Sequence, residues 1–176
     1  MKKYIDLLQD AKKATEAMGL GFEDFSPNSS SITNSEIELA LMEAMSKSKY
    51  FKNLAVVDIA CRCAEVHLNL KLEFEEIFGR KVMLTLGDLR YNEVGLIEIP
   101  NFNFASLRKS GIYHVWWTLS SGQIIDITLI SSIKYKKGIE VEGVHPIIDF
   151  PENSSPFAWI PRLVGDEAIH RLLYSH

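Results

Sequence analysis

The sequence predicts an α+β fold, in which N-terminal helices pack on an antiparallel sheet. Helical patterns come first along the chain, and strand-like runs follow them without alternation. That order is typical of α+β domains, whereas α/β domains alternate helices with strands. Because 176 residues match the size of one compact core, we expect a single domain over 1–176, with an N-terminal helix and linker in 1–30 and the core in 35–176.

Two helices are predicted in the first fifty residues. Apolar residues recur at helical spacing over 3–18, and the glycine at position 19 ends that pattern. The segment 26–31, rich in serine and proline, is typical of a linker. Thr33 or Ser35 is a suitable N-cap for a second helix that continues to about residue 49.

A longer helix is predicted from Asp58, as its N-cap, to residue 78, with Gly79 as the terminating residue. At about 100° per residue, apolar side chains together with a cysteine and a histidine share one face, and glutamates share the other. The face expected to pack on the sheet consists of Cys63, Val66, His67, Leu70, Phe74 and Ile77.

Strand-like runs follow at 82–89, 112–119 and 123–130, with a possible fourth strand at 139–144. We expect loop from 149 to 161, because this segment carries prolines and an asparagine, and a short final helix over 165–173.

The two runs at 112–130 form a predicted hairpin whose register determines which side chains meet. A two-residue loop would place His114 and Asp126 on opposite faces of the sheet. A three-residue loop over 120–122 pairs Leu119 with Gln123 and makes His114 and Asp126 diagonal neighbours on one face. Three-residue loops commonly end in a left-handed residue, and Gly122 occupies that position. The sequence therefore favours the register that brings the histidine and the aspartate together.

An isolated carboxylate in the apolar run around Asp126 would be costly to bury, by several kcal/mol, unless it is paired. His114 is the partner that this register offers. The pair is either a structural ion pair or two members of a catalytic site, and strongly coupled titratable pairs are frequent in active sites.

A nucleophile for such a site is available at the start of the helix predicted over 58–78. A cysteine near a helix N-terminus and facing an imidazole is readily converted to the reactive thiolate. We prefer Cys63, because it lies on the apolar face that would pack on the sheet, and we keep Cys61, which points about 160° away, as the alternative nucleophile. As an alternative chemistry, Cys61, Cys63 and His67 could bind a metal ion, although Cys-x-Cys-x3-His is not a usual zinc spacing.

Composition limits the class of partner. A net charge of −4, with lysines and arginines scattered along the chain, provides no basic surface for nucleic acid. No apolar run has the length of a membrane helix, and charged and polar residues interrupt the N-terminal apolar pattern, unlike in a signal peptide. Two cysteines one residue apart cannot build a disulfide framework, so we expect a reducing compartment, the cytoplasm; a bacterial effector delivered without a cleaved signal would have the same composition.

The order of these features resembles the papain-like superfamily of cysteine hydrolases, and its transglutaminase-like members most of all. Those proteins carry a cysteine at a helix start, a His-x-Trp strand and an Ile-Asp-x-Thr strand after a glycine turn. This chain has Cys63, Leu86-Gly87-Asp88-Leu89, His114-Val115-Trp116-Trp117 and Gly122-Gln123-Ile124-Ile125-Asp126-Ile127-Thr128 in that order over about residues 55–130.

The resemblance implies a papain-like core with Cys63 or Cys61 as nucleophile, His114 as general base and Asp126 as the residue that orients the imidazole. It implies no cofactor, and a protein or peptide as the substrate. The oxyanion would be held by the backbone N–H of the nucleophile, with Asn53 as a candidate side-chain donor.

The expected function is therefore a cysteine-dependent hydrolase or acyl transferase acting on amide bonds: a peptidase, a glutamine deamidase or a transglutaminase-like enzyme. A non-catalytic papain-like module that binds a protein partner is the alternative.

Overall fold

The computed structural model describes residues 3–23, 32–100, 102–140, 142–151 and 155–174. The predicted linker at 26–31 lies outside these residues. Within them the chain forms an α+β fold with eight helices: α1 Tyr4–Ala17, α2 Asn34–Lys47, α3 Lys49–Lys52, α4 Val56–Ile59, α5 Cys63–Phe78, α6 Phe104–Ser110, α7 Leu129–Lys136 and α8 Asp166–Tyr174. In the same residues the sheet has six strands: β1 Val82–Tyr91, β2 Val94–Ile97, β3 His114–Leu119, β4 Ile124–Asp126, β5 Ile147–Asp149 and β6 Phe157–Val164. None of the helices in these ranges is long and apolar enough to cross a bilayer.

All strand pairs of the sheet are antiparallel, in the order β2-β1-β3-β4-β5, with β6 on the other side of β1. Because β6 pairs with β1 along most of its length, β2 and β3 share the opposite side of β1, end to end. Leu89 of β1 pairs with Ile97 of β2, and Gly87 pairs with His114, the first residue of β3. The end of β2 therefore lies next to the start of β3.

Helices cover both faces of the sheet. On one face, α1 packs through Leu8 and Ala11 against Met83 and Val164. On the other face, α2, α5 and α8 enclose the main core, which includes Trp117, one of the largest fully buried side chains. Its indole N–H donates to the carbonyl of His67 at 3.0 Å and so fixes α5 against β3.

The N-terminal helix is fixed to the hairpin strand β3 by hydrogen bonds. The buried Tyr4 hydroxyl lies 2.7 Å from the Thr118 hydroxyl and accepts from the Trp116 indole N–H at 2.9 Å. Burial is the main cause that raises the pKa of Tyr4 to about 12, so the phenol stays neutral. Although α1 lies outside the predicted core of 35–176, it is packed on the same sheet.

Several boundaries match the sequence prediction. The predicted helices at 3–18 and 165–173 correspond to α1 and α8, and Thr33 caps α2 in a capping box with Glu36. The predicted strands at 82–89 and 112–119 correspond to β1 and β3.

The helix predicted from Asp58 to residue 78 is interrupted. Asp58 belongs to the short helix α4, where its carboxylate accepts from the Ala55 N–H, and α4 ends at Ile59. Cys61 then takes a left-handed conformation, with φ of 63°, so the long helix starts again only at Cys63. The predicted N-cap was therefore wrong, and the turn between the two helices separates the two cysteines.

The strand predicted over 123–130 ends at Asp126. The Asp126 carboxylate accepts hydrogen bonds from the backbone N–H groups of Thr128 and Leu129, and these bonds turn the chain into α7. The apolar residues after the aspartate are therefore buried as part of a turn and a helix and do not extend the strand.

Two predictions for the C-terminal part were wrong. The described residues of 139–144 form no strand, and β5 lies just after them; the segment predicted as loop, 149–161, contains most of β6. The prolines on which the loop prediction was based are compatible with β6, because β6 is an edge strand. Its Pro161 lies at an irregularity in the pairing with β1.

Candidate active site

The hairpin β3–β4 has the register that the Ser-Ser-Gly loop predicts. Trp117 pairs with Ile125, and the Leu119 N–H donates to the Gln123 carbonyl at 2.9 Å, so three residues form the loop. Gly122, the last of them, has a φ of 85°, a backbone conformation that is energetically unfavourable for residues other than glycine. The structure thus confirms the turn that places His114 and Asp126 on one face.

His114 and Asp126 form a buried hydrogen-bonded pair. The imidazole Nε2 lies 2.6 Å from Asp126 Oδ2, and the two residues are 2% and 0% exposed. Such short contacts between a charged donor and a carboxylate are about twice as strong as neutral hydrogen bonds.

Asp126 is held by donors on both of its oxygens. Oδ2 also accepts from the Trp159 indole N–H at 3.0 Å, and Oδ1 accepts from the Thr128 and Leu129 N–H groups at 3.2 and 3.1 Å. Burial by itself opposes ionisation, but the charge and hydrogen bond of His114, with the Trp159 donor, outweigh it and lower the pKa of Asp126. The aspartate is therefore an anion in a fixed orientation.

Cys63 is the thiol partner of the imidazole. Burial disfavours the imidazolium, but the charge and hydrogen bond of Asp126, together with a hydrogen bond to Cys63 and its charge, raise the pKa of His114 to about 10. Because Nε2 is bound to Asp126, Nδ1 is the ring nitrogen left for the sulfur. Asp126, His114 and Cys63 are therefore neighbours in the structure, with the imidazole hydrogen-bonded to the carboxylate.

The way in which Cys63 reaches His114 differs from the sequence prediction. Helix α5 packs on the face of β3 that carries Trp117, whereas His114 lies on the alternate face with Trp116. Both residues line one cavity because Cys63 is the first residue of α5 and His114 the first residue of β3, so each lies at the end of its element. The residue at which α5 starts therefore determines which cysteine lies next to His114.

Cys61 lies in the turn before α5 and is exposed. Its N–H donates to the Ser132 hydroxyl at 2.9 Å, which fixes the turn against α7. It lines the same cavity as Cys63, but of the two thiols it is Cys63 that contributes to the raised pKa of His114. The geometry favours Cys63 over Cys61.

His67 connects helix α5 to the backbone that follows Asp126. The Ile127 N–H donates to Nε2 at 3.1 Å, so the ring proton is on Nδ1, which donates to the Cys63 carbonyl at 2.8 Å. Burial is the largest cause that lowers the pKa of His67 to about 4, and the ring is neutral at physiological pH. Both nitrogens are occupied by the backbone, which argues against the metal site considered for Cys61, Cys63 and His67; no such group occurs among the described residues.

The thiol and imidazole open into a cavity of about 220 Å³ between β2, α7 and the start of β3. Its walls are mostly apolar, and among the described residues its ionisable side chains besides the cysteines and His114 are a tyrosine and two lysines. It is lined by Cys61, Cys63, Leu89, Leu96, Ile97, Gly111, Tyr113, His114, Leu129, Ser132, Ile133, Lys136 and Lys137.

An oxyanion site is available at the N-terminus of α5. The first N–H groups of a helix have no intrahelical acceptor, and the Arg62 side chain does not cap this one. The N–H of Cys63 can therefore receive a developing negative charge. Asn53 does not fit the donor role considered for it, because its amide binds the Lys49 carbonyl and it does not line the cavity.

Sequence reasoning missed two residues of the site. Trp159 belongs to the segment expected to be loop, although the alternation of Phe157, Trp159 and Leu163 was a signal for a strand. Tyr113 precedes His114 and lines the cavity; burial, followed by the charges of Cys63 and Glu65, raises its pKa to about 12, so it is a neutral hydroxyl donor beside the thiol.

No protein-family model, curated protein or solved structure gives a significant match to this chain.

Proposed function

We propose that the chain is a cysteine-dependent hydrolase or acyl transferase that acts on amide bonds, of the papain-like, transglutaminase-like kind. The observation that carries this proposal is that the His114 imidazole, hydrogen-bonded to Asp126, lines one cavity together with Cys63. A structural ion pair explains the first contact only. It accounts neither for the cysteine beside the imidazole nor for the opening of both groups to a cavity.

Each residue has a defined role in the proposed reaction. His114 holds the thiol proton, and the Cys63 thiolate attacks the amide carbonyl carbon. As the C–N bond breaks, the imidazolium donates its proton to the leaving amine, and a thioester remains. Water or a second amine then attacks the thioester, gives a proton to His114 and releases the acid or the new amide; the proton and the thiol are thereby restored.

Asp126 keeps the imidazole in the orientation that this reaction needs. Because its carboxylate accepts from Nε2, the proton that moves during the reaction is the one on Nδ1. Trp159 and the two backbone donors prevent the carboxylate from rotating away. The N–H of Cys63 would stabilise the tetrahedral intermediate.

Peptidase, glutamine deamidase and transglutaminase-like activities share these steps and differ in the acyl donor and acceptor. A protein or peptide is the proposed substrate, because the cavity is open and lined by apolar side chains. Free cysteines at both positions suit a reducing compartment such as the cytoplasm.

Acylation by a small activated ester, p-nitrophenyl acetate, tests the proposal without a known substrate. We expect a burst of p-nitrophenol and one acetyl group on Cys63, found by peptide mass spectrometry. Cys61→Ser should retain the burst, and Cys63→Ser should lose it. If methylamine removes the acetyl group from Cys63 faster than water does, the enzyme is assigned as a transferase. If the two rates are equal, it is assigned as a hydrolase. Absence of a burst, or acetylation confined to other residues, would favour the non-catalytic binding module.

A further inference from the structure

The cavity wall carries two lysines, although the protein as a whole is acidic. The protein has a net charge of −4, yet the residues that line this cavity include Lys136 and Lys137 and no aspartate or glutamate. In the described part of the chain neither ammonium group has a carboxylate within 4.0 Å. The cavity wall is therefore a local positive surface on an acidic protein, which is complementary to an anionic ligand.

The two lysines lie at the end of α7 that is far from Asp126. Leu129 begins α7 directly after the site, since its N–H binds Asp126, and Lys136 is seven residues further along the helix. At 1.5 Å per residue the separation is about 10 Å. An extended peptide covers about 3.3 Å per residue, so about three residues of such a peptide span α7 from Leu129 to Lys136.

The wall opposite α7 is suited to an extended chain. β2 ends the sheet path, and its second edge has no hydrogen bond among the described residues. Leu96 and Ile97 of this strand line the cavity, and Val94 is 66% exposed. A free edge with apolar side chains beside it can accept a peptide as an added strand through backbone hydrogen bonds.

We infer that the site takes an extended acidic peptide, which pairs with the free edge of β2 and places an aspartate or glutamate, about three residues from the reacting carbonyl, on Lys136 and Lys137. The inference rests on the proposed function, because it identifies the substrate class of the same cysteine site. The apolar residues Leu129 and Ile133 between the thiol and the lysines would contact the intervening side chains.

Covalent peptide probes test this inference. A peptidyl acyloxymethyl ketone extends on the acyl side of the reacting carbon, and an epoxysuccinyl peptide extends on the leaving-group side. Each probe is made with Asp or with Asn three residues from the reacting group, and the second-order rate of Cys63 labelling is measured in a Cys61→Ser background. We expect one of the two Asp probes to react about tenfold faster than its Asn counterpart, with a ratio that falls as salt is added.

The matched variants remove equal charge. Lys136→Gln with Lys137→Gln should abolish the Asp preference and leave labelling by neutral iodoacetamide unchanged. Lys134→Gln with Lys109→Gln removes two lysines from the last turns of α7 and α6, outside the cavity, and should retain the preference.

An equal rate for Asp and Asn probes on both sides, or a preference that survives in the Lys136 and Lys137 variant, overturns the inference and leaves the proposed function standing. Failure of every probe and of iodoacetamide to label Cys63 rapidly overturns the proposed function, and the inference with it.

Discussion

Trp159 donates its indole N–H to the same Asp126 oxygen that binds His114, across 3.0 Å in the buried interior. The donor stabilises the anion, so its removal should raise the pKa of Asp126. We expect Trp159→Phe to shift the acid limb of the pH profile of Cys63 alkylation upward by about half a unit to one unit, and to lower stability by about 1–2 kcal/mol.

Trp116→Phe is the matched control, because the Trp116 indole N–H donates to the Tyr4 hydroxyl and phenylalanine keeps a ring beside His114. It should lower stability and leave the profile in place. Equal shifts in both variants would show that the pH profile of Cys63 alkylation changes with any destabilisation of the core, and not with the hydrogen bond to Asp126 in particular.

His67 should make the protein sensitive to mild acid. Its pKa is lowered in the fold from 6.5 to about 4, so the unfolded chain binds a proton that the native protein excludes. The stability that His67 contributes is therefore present above pH 6.5 and is lost as pH falls toward 4, with a slope of up to about 1.4 kcal/mol per pH unit.

We expect His67→Gln to be less stable at pH 7, by about 1–3 kcal/mol, and to lose less stability between pH 6.5 and pH 4, measured by urea unfolding at each pH. His170→Gln, at an exposed position of α8, should follow the wild-type slope. An unchanged slope in His67→Gln would contradict the neutral, bridging role of this ring.

Position 87, which pairs with His114, must be glycine because neighbouring atoms leave no room for a side chain. An added Cβ would overlap the Ile160 carbonyl oxygen of β6 and the ring of Trp116. Because the first of these is backbone, we expect Gly87→Ala to cost more than about 3 kcal/mol or to prevent folding. Gly122→Ala, where the Cβ meets open space but φ is 85°, should cost only about 1–2 kcal/mol. Thermal unfolding of the two variants checks this ranking, and a reversed order would contradict the packing around Gly87.

Cys61 should be dispensable for chemistry. Its left-handed backbone is strained for any residue except glycine, and its exposed side chain does not contact the imidazole. We expect Cys61→Gly to retain the p-nitrophenyl acetate burst and to gain up to about 1 kcal/mol of stability. Loss of the burst in this variant, with folding intact, would transfer the nucleophile role to Cys61.

The parts of the site that the sequence predicts are those governed by local rules. The register of the hairpin follows from the alternation of β3 and β4 and from one glycine, so the meeting of His114 with Asp126 could be derived before the structure. The need of a buried carboxylate for partners also indicated that Asp126 is paired. These rules act over a dozen residues.

The parts that could not be predicted depend on distant contacts or on backbone conformation. Trp159 reaches Asp126 from 33 positions away, on an edge strand that tolerates a proline. The left-handed turn at Cys61 interrupts a pattern that by spacing alone reads as one helix, and no glycine marks it. Helix α7 starts where it does because the Asp126 carboxylate accepts hydrogen bonds from the backbone N–H groups that follow it. The spacing of hydrophobic residues gives no sign of these bonds.

The pH dependence of alkylation at the two cysteines tests the central claim most directly, because Cys61 serves as an ordinary thiol in the same molecule. Iodoacetamide is applied from pH 5 to pH 9, and each site is quantified by peptide mass spectrometry. Because the proposed role of His114 is to hold the Cys63 thiol proton, we expect the Cys63 rate to change less with pH than the Cys61 rate does.

His114→Gln, shown to be folded by thermal unfolding, should give Cys63 the rising profile of Cys61. That result would support a thiolate maintained by the imidazolium that Asp126 stabilises. A Cys63 rate that rises in parallel with Cys61 in the wild-type protein would contradict the assignment of Cys63, His114 and Asp126 as a catalytic site.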